Sequence, residues 1–337
     1  MRMLLYGQLV SQSLVSVAEL GIAELLGAGP LPVPTVAARL GTHEAATGRL
    51  LGALAAFGVF EAVGDDSYGL TPFGAALCFD TPGTAGPTAL LLGRSVGRAW
   101  AEFTSAIRTG KSAFAGTYGA EFFDHLAEDE DVHAVFHESQ SAAVVAELAG
   151  LAEHVGSKYR RLVDVGGGDG TVLCSILRQA ENATGIVFDA PAVVPRAAAR
   201  ISRERLSSRC AAAGGDFFEQ VPPGGDLYLL SRVVHDWGDD AVTRILSTCR
   251  AAMGRGTRLM IVDYVLDDHA GHMAAIMDLY MMSLFGADGG RERTMTEFSA
   301  LLAGSGLQLT SHSILSSGMA ILEAGRCDDD TTLPPGP

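Results

Sequence analysis

Three side chains carry the most recognisable chemistry. His235 lies in the run DLYLLSRVVHDWGDD (226–240), an apolar strand that delivers His235, Asp236 and Trp237 at its C-terminal end, the edge where open α/β sheets bind ligands. An imidazole with an ordinary pKa near ~6.5 is a natural base for drawing a proton from a hydroxyl around neutral pH. A base of this kind needs an acid to hold its other ring nitrogen. Asp263, ending LMIVDYV, and Glu292, in GGRERT, are both candidates, and the residues leave open which of them does so. Each also has a plain reading: a histidine satisfied in a packed turn, a strand-end cap, a solvated loop charge.

The second chemical stretch is RLVDVGGGDGT (161–171), where a strand ends in Asp164 and Gly166, Gly167, Gly168 and Gly170 open into a helix-forming run. Glycines there permit a tight turn and let helix-start amides approach a ligand. A dinucleotide loop needs a third glycine where this chain has Thr171, so the register fails. The spacing Asp164-x-Gly166-x-Gly168-x-Gly170 puts a carboxylate beside the ligand, which suits a cation such as the sulfonium of S-adenosyl-L-methionine better than a pyrophosphate. Asp189 ends the next strand-like run, where it can accept from ribose hydroxyls. Asp216 and Phe217 follow a third run, where an acid and a ring can bond and cover an adenine. Singly these acids are ordinary loop residues; three at successive strand ends make a site.

The elements that must position these groups can be read in outline. The chain has 337 residues, 48% of them hydrophobic, enough for two domains and a large core. With a formal charge of −15 and no Lys/Arg cluster, it lacks the footprint of a protein that binds nucleic acid or an anionic membrane. Five scattered cysteines without a C-x-x-C argue for a reducing compartment and against structural zinc. No apolar run reaches the roughly 18 residues needed to span a bilayer, and the N-terminus has no credible cleavage site. The reading is a cytoplasmic enzyme without a metal. The sequence DDHAGH (267–272) has His-x-x-His beside two acids, but in a polar loop it reads as solvated surface.

In chain order, helical spacing over 13–26, 35–40 and 42–57, with Thr42 as an N-cap, precedes a hairpin in VFEAVGDDSYGLT. This is a winged-helix pattern. DNA binding needs cations, and residues 1–100 hold five Lys/Arg against seven Asp/Glu, so dimerisation or substrate covering is the expected role. Residues 80–95 read as a linker. From 161 onward strands alternate with helices, at 161–165, 185–188, 210–213, 226–231, 257–263, 307–314 and 319–323, implying a parallel sheet covered on both faces. The division expected is a winged-helix-like dimerisation domain at 1–98, bridging helices at 99–155, a Rossmann-like doubly wound α/β domain of seven strands at 156–325, and a disordered tail at 326–337. In MAAIMDLYMMSLF, Met273, Ile276, Met277, Tyr280, Met281 and Leu284 form one helical stripe. Such a stripe is normally core, but its soft methionines suit a flat apolar ligand.

LVDVGGGDG, VFDAP, GDFF, LSRVVHDW and GGRERT, in this order and spacing, resemble the S-adenosylmethionine-dependent O-methyltransferases shared by plant phenolic-modifying and bacterial antibiotic-tailoring enzymes. The likeness covers nearly the whole chain, WAEFTSAIRTG and YGAEFFDHL included, and leans toward enzymes acting on aromatic polyketides. It implies a homodimer built through the N-terminal domain. It also implies cofactor contacts from Gly166, Asp189, Asp216, Phe217 and Ser231, with His235 as base flanked by Asp263 and Glu292; Trp237 is a further cofactor candidate, and Met277, Met281, Phe285 and Gln140 are the acceptor candidates. Plant members usually carry lysine where this chain has Ser231, and the bridging helix often carries Met where this chain has Gln140. The competing readings are a non-methylating tailoring enzyme on the same scaffold and a winged-helix regulator that senses a small molecule.

Overall fold

A computed structural model describes residues 1–266 and 271–328, which fall into two compact units. The first comprises Met1–Glu102 and Phe122–Ala143, the second Phe103–Glu121 and the chain from Val144 onward. The stretch 99–155, read as bridging helices, is therefore shared between them. Helices Phe103–Thr109 and Ala113–Tyr118 go with the second unit, and Phe122–Glu128 with the first.

The first unit opens with helices Arg2–Leu20, Ile22–Gly27, Val33–Leu40 and Glu44–Ala55. Gly21 and Gly41 stop two of them at φ 67° and 65°, left-handed values that a residue without Cβ adopts freely. Strands β1 (Leu31–Pro32), β2 (Phe60–Ala62) and β3 (Ser67–Leu70) form a small sheet in the order β1-β3-β2, so the expected hairpin is present. Val17, Ile22, Leu26, Val36, Leu51, Leu54 and Phe60 pack its core. Three details differ from the sequence reading. The opening helix begins at Arg2 rather than 13, the expected linker contains helix Gly86–Gly93, and His43 rather than Thr42 takes the N-cap position. The Thr42 hydroxyl is 2.7 Å from that of Thr47 instead, and so does not cap the helix.

The second unit is built on seven strands: β4 (Arg161–Val165), β5 (Thr184–Asp189), β6 (Cys210–Gly214), β7 (Leu227–Ser231), β8 (Arg258–Asp263), β9 (Leu307–Ile314) and β10 (Ala320–Arg326). Their order is β6-β5-β4-β7-β8-β10-β9. The chain winds one way from β4 to β6 and the other from β7 to β8, so the switch point lies between β4 and β7, where an open α/β sheet forms its crevice. Helices lie on both faces over two apolar layers, one including Leu162, Leu173, Val187 and Met260, the other Val163, Tyr228, Ile245 and Ile261. The sheet is not wholly parallel: β10 runs antiparallel to both β8 and β9. Only 315–319 separate β9 from β10, too few for the crossover that parallel neighbours require. Arg326, read as the first residue of a tail, ends β10; residues 329–337 lie outside the described residues, as do 267–270 of the His-x-x-His stretch.

Candidate active site

At the end of β4 the backbone turns through Gly166, Gly168 and Gly170 at φ 71°, 58° and 80°. A Cβ on Gly166 would stand 2.7 Å from Val233, and one on Gly167 would stand 2.7 Å from an Asp164 oxygen. The glycines therefore let the loop lie flat on β7's exit and on the acid beneath. At Gly168 a Cβ would meet nothing within 4 Å, so the loop is open on that side. Helix Thr171–Gln179 starts here.

Asp164 is buried under this loop, and neither of its oxygens makes an aligned hydrogen bond among the described residues, although the Leu173 backbone acts on the carboxyl. Burial, reinforced by Asp189 and Asp169, pushes its carboxyl up to about 7. A cation above the loop would favour its charged form. Asp189 is tied to the loop, its Oδ2 accepting from the Gly168 amide at 2.8 Å and its Oδ1 from that of Ala190 at 2.7 Å. Each oxygen keeps a lone pair for a ribose hydroxyl. Asp216, exposed after β6, accepts from the Phe218 amide at 2.8 Å. Phe217, Phe218 and Trp237 form an edge-to-face trio with centroids 4.8 to 5.9 Å apart. Ser231, ending β7, has a buried hydroxyl without a partner among the described residues. Unpaired buried acceptors, an open glycine turn and a ring cluster on one sheet edge fit S-adenosyl-L-methionine.

His235 lies in the short 3₁₀ turn Val234–Asp236 that follows β7. Its Nδ1 is 3.2 Å from Asp263 Oδ1 and 3.2 Å from Glu292 Oε1, while Nε2 is 3.6 Å from Asp236 Oδ1. The structure thus brings together the histidine and both acids singled out in the sequence. The two Nδ1 contacts are ion-pair distances rather than aligned hydrogen bonds, so one ring N–H is placed between two carboxylates. Burial disfavours the imidazolium, but Asp263, Glu292 and Asp236 outweigh it and raise His235 to about 10. Burial raises Asp263 to about 7 against the attraction of His235.

Helix Gly271–Phe285 carries Met277, Asp278, Met281 and Phe285. Met281 is buried, Met277 and Phe285 are half-buried, and Met277 packs on the core beneath β4 and β8. Met273 and Ile276 are about half exposed, at 51% and 52%. The predicted single stripe therefore covers the core only in its C-terminal half. Gln140 sits half-buried on helix Glu130–Glu147 within the first unit.

Sequence reasoning gave no role to three charged residues here. Asp236 stands by Nε2, the other ring nitrogen. Arg232, left-handed at φ 57°, pairs with Glu147 at 2.9 Å. Arg293 is wholly buried. All three sit inside motifs that were quoted for their neighbours; only burial distinguishes them from surface charge. Among the described residues no group of three or more His, Cys, Asp or Glu could hold a metal. No described helix is long and apolar enough to cross a membrane.

Comparison with known proteins gives this geometry its chemistry. Residues 100–308 match the O-methyltransferase domain and residues 3–79 the O-methyltransferase dimerisation domain. The chain is 44% identical to O-methyltransferase SfmM3 of Streptomyces lavendulae, covering 97% of this chain and 99% of that one. It is 36% identical to phenazine O-methyltransferase PhzM of Lysobacter antibioticus, covering 94% and 93%. Among solved structures it is similar to NcsB1, an O-methyltransferase from neocarzinostatin biosynthesis in complex with S-adenosylmethionine and 2-hydroxy-5-methyl naphthoic acid. There the TM-score is 0.79 and the identity 30%, covering 94% of this chain and 96% of that one. Fold, cofactor edge and both domain matches agree: the chain belongs to the O-methyltransferase family and is an S-adenosylmethionine-dependent O-methyltransferase.

Proposed function

We propose that the enzyme methylates a hydroxyl of an aromatic, polyketide-type small molecule in secondary metabolism, with His235 as general base. The observation that carries this reading is the position of His235, with Nδ1 held by two buried acids and the ring on the same sheet edge as the glycine loop. An aromatic acceptor is supported by the phenazine and naphthoic acid in the names of the relatives and by the methionines of helix Gly271–Phe285.

When bound, S-adenosyl-L-methionine supplies an electrophilic methyl group on a sulfonium. The protein's part is to orient and to move one proton. Asp189 and Asp216 would hold polar edges of the cofactor, Phe217 and Trp237 would cover its ring, Ser231 would offer a hydroxyl, and Gly166 and Gly168 keep the loop low. Asp164 lies beneath the loop, where a bound sulfonium would favour its charged form. Met277, Met281 and Phe285 form the apolar wall for the acceptor. The acceptor O–H gives its proton to His235 Nε2, and Asp263 and Glu292 stabilise the imidazolium through Nδ1. The facing acids raise His235 well above an ordinary imidazole, toward the ~10 of a phenol such as Tyr, so its neutral form is a strong enough base to take the proton.

His235→Ala should lower turnover by ~10²–10⁴ while cofactor affinity by calorimetry stays within a few-fold. The assay is labelled-methyl transfer to a panel of phenolic and quinone acceptors. Wild-type turnover in the variant would refute the assignment.

A further inference from the structure

We propose that Arg293 is a positioning residue for methyl transfer: it locks the turn carrying His235 to the loop carrying Glu292. This rests on His235 being the base. The guanidinium is fully buried and all five of its N–H groups have acceptors. Nη1 donates to the Val234 carbonyl at 3.0 Å and to that of Arg291 at 3.3 Å. Nη2 donates to the Trp237 carbonyl at 2.7 Å and to Asp239 Oδ1 at 2.8 Å, and Nε donates to the same oxygen at 3.0 Å. Two of these carbonyls bracket His235, one residue before it and two after. The backbone of Arg293 bridges in parallel to Val265 and accepts from the Leu266 amide at 2.9 Å, two and three residues beyond Asp263. Arg293 thus joins the segments bearing the base and both of its acids.

Close packing supports the same function. A Cβ on Gly290 would be 2.5 Å from the His235 carbonyl oxygen, and one on Gly238 would be 2.7 Å from that of Asp288. The loop lies directly on the turn, so a shift in one moves the other. The Glu292 amide is itself held by Asp278 Oδ1 at 3.1 Å. Only a planar fork with five donors meets this set of acceptors; a lysine has three donors on one atom.

The charged groups facing the imidazole are Asp263 from β8, Glu292 from its loop and Asp236 from its own turn, with Arg232 acting on Asp263 and Asp236. The test uses Arg293→Lys together with Asp239→Ala. The Asp239 side chain is 51% exposed, so its removal loosens the clamp without opening the core. Both variants are expected to lose about 100-fold in kcat, the scale of an ångström misplacement, while cofactor affinity changes several-fold at most. The acid limb of the kcat–pH profile should move to lower pH as the ring withdraws from its carboxylates. If the folded variants keep the wild-type kcat and profile, or lose turnover only in proportion to the unfolded fraction seen by circular dichroism, Arg293 is mere structural support and the proposal fails. Should Arg293→Lys not fold, Asp239→Ala decides alone. His235→Ala, run in parallel, separates the cases, because its retained turnover would overturn the base assignment rather than the clamp.

Discussion

At the residue scale the proposed proton acceptor is a histidine whose basicity is set by its neighbours. The sign of the pH dependence follows from the geometry: two carboxylates at 3.2 Å favour the imidazolium against burial, so the neutral base becomes more abundant as pH rises toward about 10. Turnover at saturating acceptor should therefore climb from pH 6 to pH 9, as a stopped assay with labelled cofactor can follow. Glu292→Gln removes one of the negative charges that hold the proton on the ring, lowering the pKa of His235. Its acid limb should move to lower pH while the maximal rate falls, because the imidazolium formed during transfer is less stabilised. A limb that moves upward, or not at all, would mean that Glu292 does not act on the ring.

At the element scale the glycine turn after β4 shapes the edge proposed to hold the cofactor. Gly166→Ala would put a non-glycine residue at φ 71° and a methyl 2.7 Å from Val233. Left-handed backbone alone costs about 1–2 kcal/mol, and displacing Val233 disturbs the strand exit leading to His235. We expect both lower stability in urea and weaker cofactor binding. Asp189→Ala should act differently. It removes the acceptor of the Gly168 amide as well as the proposed ribose partner, so cofactor affinity should drop by more than tenfold, of the order of one lost charge-assisted hydrogen bond, with the fold retained. Calorimetry on the two variants beside unfolding curves distinguishes these outcomes.

At the scale of the whole molecule, the N-terminal unit carries the match to an O-methyltransferase dimerisation domain. Helix Arg2–Leu20 leaves Met3, Leu4, Leu5 and Leu9 63% to 79% exposed, an apolar patch of the kind that marks a protein interface. Homodimerisation through this unit is our proposal. Leu4→Asp with Leu5→Asp should convert a dimer to a monomer in sedimentation equilibrium; an unchanged mass would place the contact elsewhere.

How much of this could be read from the chain depends on the range of the interactions. The glycine turn, the strand-end acids and His235 were legible because they are local: a left-handed backbone demands glycine, and an apolar run of four or five residues ends at a definite point. The seven strands were legible for the same reason, as was the hairpin between β2 and β3. The reversed direction of β10, the exposure of Met273 and Ile276, and the depth of Asp164 depend on which surfaces meet, and periodicity is blind to that. The acids named beside His235 could be listed from the sequence, but not their equal distances from Nδ1. Arg293 shows the limit clearly. In GGRERT it looks like any surface arginine, and only the convergence of the segments around 234–239, 263–266 and 291–294 makes it a buried clamp. The sequence by itself determined the glycine turn and the strand ends that carry the acids and His235, because both follow from short-range backbone and side-chain chemistry. The tertiary structure alone decided how base, acids and guanidinium are held together, because those distances join residues up to 59 positions apart.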